Sequence, residues 1–188
     1  MVRNDKTQMK VNAKEIEDRM IAEKVMKQLE TDEFVHWFTV SGMTVDCSYD
    51  IEGVDNFPFE PVPYVAEIKQ NTTNPRFKVK AIIKKKKVED IFKEAKNKQI
   101  YFISLLDHRT AYIFNMRAID WNSTEIINMR QKKRQLESDK DKVEYYTVPT
   151  YLISYDKAFY SCPIDNFYKE LENNAIYSEE AKETYLPS

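Results

Sequence analysis

Apolar residues at positions 21, 22, 25, 26 and 29 recur with helical spacing and predict an amphipathic helix over 13–29. Asn12 precedes it as a cap, and Glu15 falls in the capping-box position three residues later. The pattern then changes to the two-residue period of strands. Residues 33–40 are rich in β-branched and aromatic side chains, Ser41-Gly42-Met43 reads as a turn, and 44–51 reads as the returning strand of a hairpin. Gly53, Pro58, Pro61 and Pro63 predict a loop over 52–63. Tyr64 to Gln70 is a further strand, with Tyr64, Ala66 and Ile68 on one face and Val65, Glu67 and Lys69 on the other.

Beyond a polar turn at 70–75, alternation over 76–87 suggests extended chain, and Val88, Ile91, Phe92 and Ala95 mark a second amphipathic helix ending near Asn97. The nearly continuous apolar run 100–106 is the pattern of a strand covered on both faces. A turn at 107–110 leads to another strand over 111–116. The remainder predicts a basic helix over 124–136, extended chain over 144–155 interrupted by Pro149, and a terminal helix over 165–173.

At 188 residues the chain fits a single domain with one core. Cys47 and Cys162 have neither metal-ligand spacing nor a disulfide framework, and no run of eighteen apolar residues occurs. These features lead to the expectation of a soluble, cytoplasmic protein without a membrane partner. The net charge of −2 conceals a strong asymmetry: residues 1–60 hold 13 acids against 7 Lys/Arg, whereas 69–98 hold 11 Lys/Arg against 3 acids. A basic face beside an acidic pocket suits a polyanion, while the same lysines are equally compatible with a solvated helix surface.

Glu67 and Lys69 stand out because they interrupt an otherwise apolar strand, and buried charge is costly unless paired or bound to a cation. An exposed ion pair is the plain alternative. Asp46 and Asp50 share the polar face of the preceding strand, while Glu15 and Asp18 extend the buried stripe of the first helix towards its start. Two glycines, Gly42 and Gly53, leave no phosphate-cradling loop, and the only histidines, His36 and His108, lack zinc-ligand partners at the usual spacing. Tyr145, Tyr146 and Tyr151 are candidates for base stacking as well as for the core.

An acid on a hairpin, an acid-x-lysine on the next strand, and a helix followed by a buried strand together resemble the PD-(D/E)XK, or restriction-endonuclease-like, nuclease superfamily. The resemblance spans about residues 12–116 and implies an α/β fold with an αβββαβ core, a mixed central sheet flanked by helices, here followed by a C-terminal α/β extension over 117–188. It implies a Mg²⁺- or Mn²⁺-dependent nuclease acting on DNA rather than RNA. Asp46 and Glu67 would hold the metal and Lys69 would complete the catalytic set, with Glu15, Asp18 or Asp50 as an additional acid. Val45, rather than proline, precedes Asp46, which leaves the choice between Asp46 and Asp50 open. Lys78, Lys80, Lys84, Lys85, Lys86 and Lys87 are the candidate contacts to nucleic acid. The alternatives are an inactive nuclease-fold protein that binds nucleic acid or a protein, and a structural or assembly protein; a homodimer is compatible with each.

Overall fold

The computed structural model describes residues 13–32, 36–43, 48–56, 60–72, 80–132 and 145–183. Three helices and nine strands follow in the order α1 (Ala13–Asp32), β1 (Phe38–Met43), β2 (Ile51–Asp55), β3 (Val62–Asn71), β4 (Lys80–Lys84), α2 (Lys85–Ala95), β5 (Gln99–Leu106), β6 (Thr110–Asn115), β7 (Glu125–Lys132), β8 (Tyr145–Ser154), β9 (Tyr160–Pro163) and α3 (Asp165–Glu183). The strands form a six-stranded sheet, β1-β2-β3-β5-β6-β9, and a three-stranded sheet, β4-β8-β7. The first sheet is mixed. β1, β2 and β3 are antiparallel neighbours, β3 and β5 run parallel, and β6 and β9 return antiparallel. The α/β class expected from the residue pattern is therefore the observed one.

Alternation along the central strands divides the core between two layers. Tyr64, Ala66, Ile68, Tyr101, Ile103 and Leu105 pack beneath α1, whose Ile21, Ala22, Val25, Met26 and Leu29 are all fully buried. Val65, Ile100 and Phe102 face the other way, against Val88, Ile91 and Ala95 of α2 and the inner side chains of the three-stranded sheet. Covering both faces explains why 100–105 is buried at every position. Cys162 packs in the first layer as a small buried side chain. Among the described residues, no helix is long and apolar enough to cross a membrane.

Three elements depart from the sequence expectation. The returning strand of the hairpin is Ile51–Asp55, inside the segment expected to be a loop, whereas Ser48–Asp50 form a bend. Ser41-Gly42-Met43 continue β1, and Met43 pairs with Ile51. Gly53 is compatible with a strand because its neighbours leave no space for a side chain: an added Cβ would lie 2.1 Å from the Thr39 carbonyl oxygen and 2.6 Å from the Tyr64 ring. Pro63 is tolerated near the start of β3, one residue before pairing with β5 begins at Tyr64. The basic segment expected to be a helix over 124–136 instead supplies β7, which pairs with β8 from Glu125↔Leu152 to Lys132↔Tyr145. Cross-strand pairing overrides the helical preference of its charged residues there.

The turn between β5 and β6 falls where the sequence places it. Asp107 and His108 both adopt positive φ, 51° and 56°, and the Arg109 N–H donates to the Leu106 carbonyl at 2.9 Å. That geometry is a type I′ turn, whose twist suits a hairpin. The contact at Gly53 yields a direct test. Gly53→Ala is expected to lower unfolding stability by at least about 2 kcal/mol, since strand backbone and a buried ring must both move; urea titration measures the loss, and a change below about 0.5 kcal/mol would contradict the packing.

Candidate active site

β3 brings Glu67 to the middle of the sheet, on the face directed towards α2. Its residue exposure is 8%. The side chain follows Val65 on the same face, so burial comes from the strand's position between β2 and β5. Lys87, in the first turn of α2, sets its Nζ 2.9 Å from Glu67 Oε2. That ammonium lies directly against Glu67 Oε2, an oxygen that has no other donor among the described residues. Burial first, and the neighbouring charge of Asp50 second, push the Glu67 carboxyl up to about 8, with Lys87 opposing the shift.

Asp50 reaches this point because pairing does not stop at the end of β2. Ile51 pairs with Ala66, and the Asp50 N–H still donates to the Ala66 carbonyl at 2.9 Å. The Asp50 carboxylate accepts the Ile68 N–H at 2.7 Å, and its other oxygen lies 3.8 Å from Arg19. Its charge also acts on the Glu67 carboxyl. One more acid stands behind the pair. Asp18 of α1 is half-buried and held above the usual carboxylate range by burial, opposed most by Lys14, with Asp50 adding a smaller upward push.

Glu67 opens onto a cleft of about 460 Å³ lined by residues of both sheets. β3 contributes Glu67, Lys69 and Asn71; Lys84 and Lys87 enter from the β4–α2 junction; Met129, Gln131 and Thr150 come from β7 and β8. Lys69 and Lys84 are exposed and make no ion pair among the described residues. Asn71 is fixed by donating from Nδ2 to Ser104 Oγ at 2.6 Å, beside Tyr155. Gln70 turns to the opposite face, where its Oε1 accepts from Tyr168 at 3.2 Å.

The site residues read from sequence are distributed unevenly around this geometry. Glu67 and Lys69 line the cleft, Asp50 acts on Glu67 without lining it and Asp18 is coupled to Asp50, while Asp46, Lys78 and the side chain of Glu15 fall outside the described residues. Of the lysine cluster, Lys80 pairs with Glu125 and Lys86 with Asp90, Lys85 is half-buried, and only Lys84 and Lys87 line the cleft. Lys87, counted in the sequence with the phosphate contacts, is thus the lysine that touches Glu67. Its position four residues before Ile91 was the available signal, since that spacing sets it beside the buried face of α2.

Among the described residues no three His, Cys, Asp or Glu side chains form a metal-binding group. The two that do meet nevertheless suit a hard dication. A Mg²⁺ ion commonly takes one or two carboxylates and completes its shell with water and substrate phosphate. A buried carboxyl oxygen with no donor apart from Lys87, next to a second acid whose charge disfavours its ionised form, is the local condition such an ion relieves.

No family model matches the chain, and no curated protein matches it. Among solved structures, the chain is similar to the 1.6 Å structure of Hjc, a Holliday junction resolvase from the archaeal hyperthermophile Archaeoglobus fulgidus. The similarity covers 80% of this chain and 93% of that chain, with 10% identity and a TM-score of 0.42.

The raised Glu67 carboxyl has a signed consequence for stability. Between the ordinary carboxylate range and about pH 8 the unfolded chain loses this proton while the folded chain keeps it, so Glu67 makes stability fall as pH rises through that window. In chelator, Glu67→Gln is therefore expected to gain Tm on the wild type as pH goes from 5 to 8, by on the order of 5 °C. Scanning calorimetry at the two pH values checks it; a Tm difference independent of pH would remove the assignment of an elevated carboxyl.

Proposed function

We propose that this protein is a metal-dependent nuclease of the PD-(D/E)XK kind, hydrolysing phosphodiester bonds, in DNA rather than RNA, at the Glu67 cleft. The observation that carries the reading is a buried Glu67, with Lys87 Nζ 2.9 Å away, lining a cleft that also presents Lys69 and Lys84; the Asp50 charge acts on Glu67 from the neighbouring strand end. Supporting it is the order α1, β1, β2, β3, α2, β5, which, with β4 set aside in the second sheet, follows the αβββαβ succession.

Asp50 and Glu67 would hold Mg²⁺ or Mn²⁺, which when bound supplies charge neutralisation at the phosphate and an acidified water. The residues of the chain perform the remaining tasks. Lys69 and Lys84 attract the polyanion and orient the phosphate at the cleft mouth. Lys69, two residues from Glu67 on the same strand face, stabilises charge developing on the phosphorus oxygens. Lys87 offsets the buried Glu67 charge, and the Ile68 N–H holds the Asp50 carboxylate in place. Asp46, four residues before Asp50, remains a candidate for the same acidic role.

A second reading, nucleic-acid binding without cleavage, is favoured by one contact: Lys87 already supplies Glu67 with a counter-cation. Both readings meet the same assay. Single-stranded, duplex and branched DNA, and RNA, are incubated with the protein with and without Mn²⁺. Cleavage is expected only with metal, falling at least about 100-fold in Glu67→Gln, Asp50→Asn and Lys69→Ala. Binding without any cleavage supports the second reading. Loss in Asp46→Asn with full activity in Asp50→Asn would transfer the acid role to Asp46.

Binding electrostatics give a separate expectation. Replacing both Lys84 and Lys85 with Ala should flatten the log-log salt dependence of duplex affinity by about 0.9 for each phosphate no longer neutralised. Fluorescence anisotropy across a salt series measures that slope, and an unchanged slope would exclude these two lysines from the binding surface.

A further inference from the structure

The ribbon of β7 and β8 forms the far wall of the cleft and carries an aromatic feature that the hydrolytic residues do not use. Its register sets Gln131 opposite Tyr146, Met129 opposite Val148 and Ile127 opposite Thr150. Side chains alternate across such a ribbon, and Met129, Gln131 and Thr150 line the cleft. Tyr146 therefore belongs to the cleft-side face, one pair beyond Val148. Its hydroxyl donates to Gln131 Oε1 at 3.3 Å, while 47% of the residue stays exposed. The hydroxyl is tethered and the ring is open to solvent.

Tyr145 is the neighbouring control. It points to the opposite face and is 52% exposed, with the Arg130 guanidinium 3.9 Å from its ring centroid. One of its ring faces is thus already occupied by a cation. Tyr146 has no ring or cation contact of this kind among the described residues.

Lys69 and Lys84 line the same cleft as Met129, Gln131 and Thr150 of this wall, so a polyanion held by the two lysines lies beside it. Bases of an intact duplex are stacked on each other, leaving no base face for an aromatic ring; an unpaired base has one. We propose that Tyr146 is a stacking platform for an unpaired base, so that the substrate class is nucleic acid with a single-stranded segment crossing the cleft. The proposal rests on the nuclease reading for the path of the phosphates, and on the ribbon geometry for the platform itself.

The test uses the full chain in chelator, so that affinity is read without cleavage. Labelled oligo-dT and a blunt duplex of matched length are titrated by anisotropy against wild type, Tyr146→Ala, Tyr146→Phe and Tyr145→Ala, each checked for native circular dichroism. Tyr146→Ala is expected to weaken oligo-dT binding about 10-fold and duplex binding less than 2-fold, with an unchanged salt slope. Tyr146→Phe keeps the ring and should bind like wild type, as should Tyr145→Ala. Wild-type affinity in Tyr146→Ala, equal weakening on both ligands, or a Tyr146→Phe defect as large as that of Tyr146→Ala would each overturn the platform. So would failure of the wild type to bind oligo-dT. The two ideas fail separately: a neutral Tyr146→Ala in a protein that cleaves removes only the platform, whereas selective loss of oligo-dT binding in a protein that never cleaves removes only the nuclease.

Discussion

Parallel pairing of β3 with β5 determines where the chemistry of this fold can lie. Eight consecutive pairs, from Tyr64↔Gln99 to Asn71↔Leu106, join the two strands in the same direction. A parallel pair cannot be closed by a tight turn, so the chain must cross a face of the sheet before returning. The crossover contains β4 and α2, and the first turn of α2 delivers Lys87 to Glu67. Without the crossover, the Glu67 carboxylate would face an apolar layer with no cation beside it. The connection required by topology also offsets the cost of the buried acid.

Asp50 is positioned by the other neighbour of β3. Antiparallel pairing with β2 continues one residue past the strand, placing Asp50 beside Glu67 and giving its carboxylate a backbone N–H. The central acid is consequently served from both sides, by a second acid from the hairpin and a lysine from the crossover. Burial and the Asp50 charge both favour the protonated form of the Glu67 carboxyl, and Lys87 opposes them. Such a pair resembles a half-neutralised dyad more than two independent ligands.

Much of this was readable from residue order. The faces of α1 and α2, the double-sided burial of 100–105 and the turn at Asp107-His108 follow from periodicity, because each buries one contiguous set of apolar side chains. Glu67 and Lys69 were visible as charges within an apolar strand. The misreadings have a common cause in pairing at a distance. Gly53 looks like a breaker until Tyr64 is laid across it, and 125–132 looks helical until β8 lies alongside. Lys87 belongs to the same group, since only the crossover shows which strand its helix turn faces. No local window contains the partner strand.

The shortage of glycine has a cost in backbone conformation. Lys96, Asp107 and His108 occupy left-handed φ values that glycine would adopt without steric penalty. Two glycines in 188 residues also leave the denatured ensemble comparatively stiff, reducing the freedom that must be surrendered when the chain orders. The native state carries local torsional cost at those hinges, and the disordered state carries less entropy in return. The sharp reversals at the end of α2 and between β5 and β6 are thus defined partly by what the unfolded chain cannot sample.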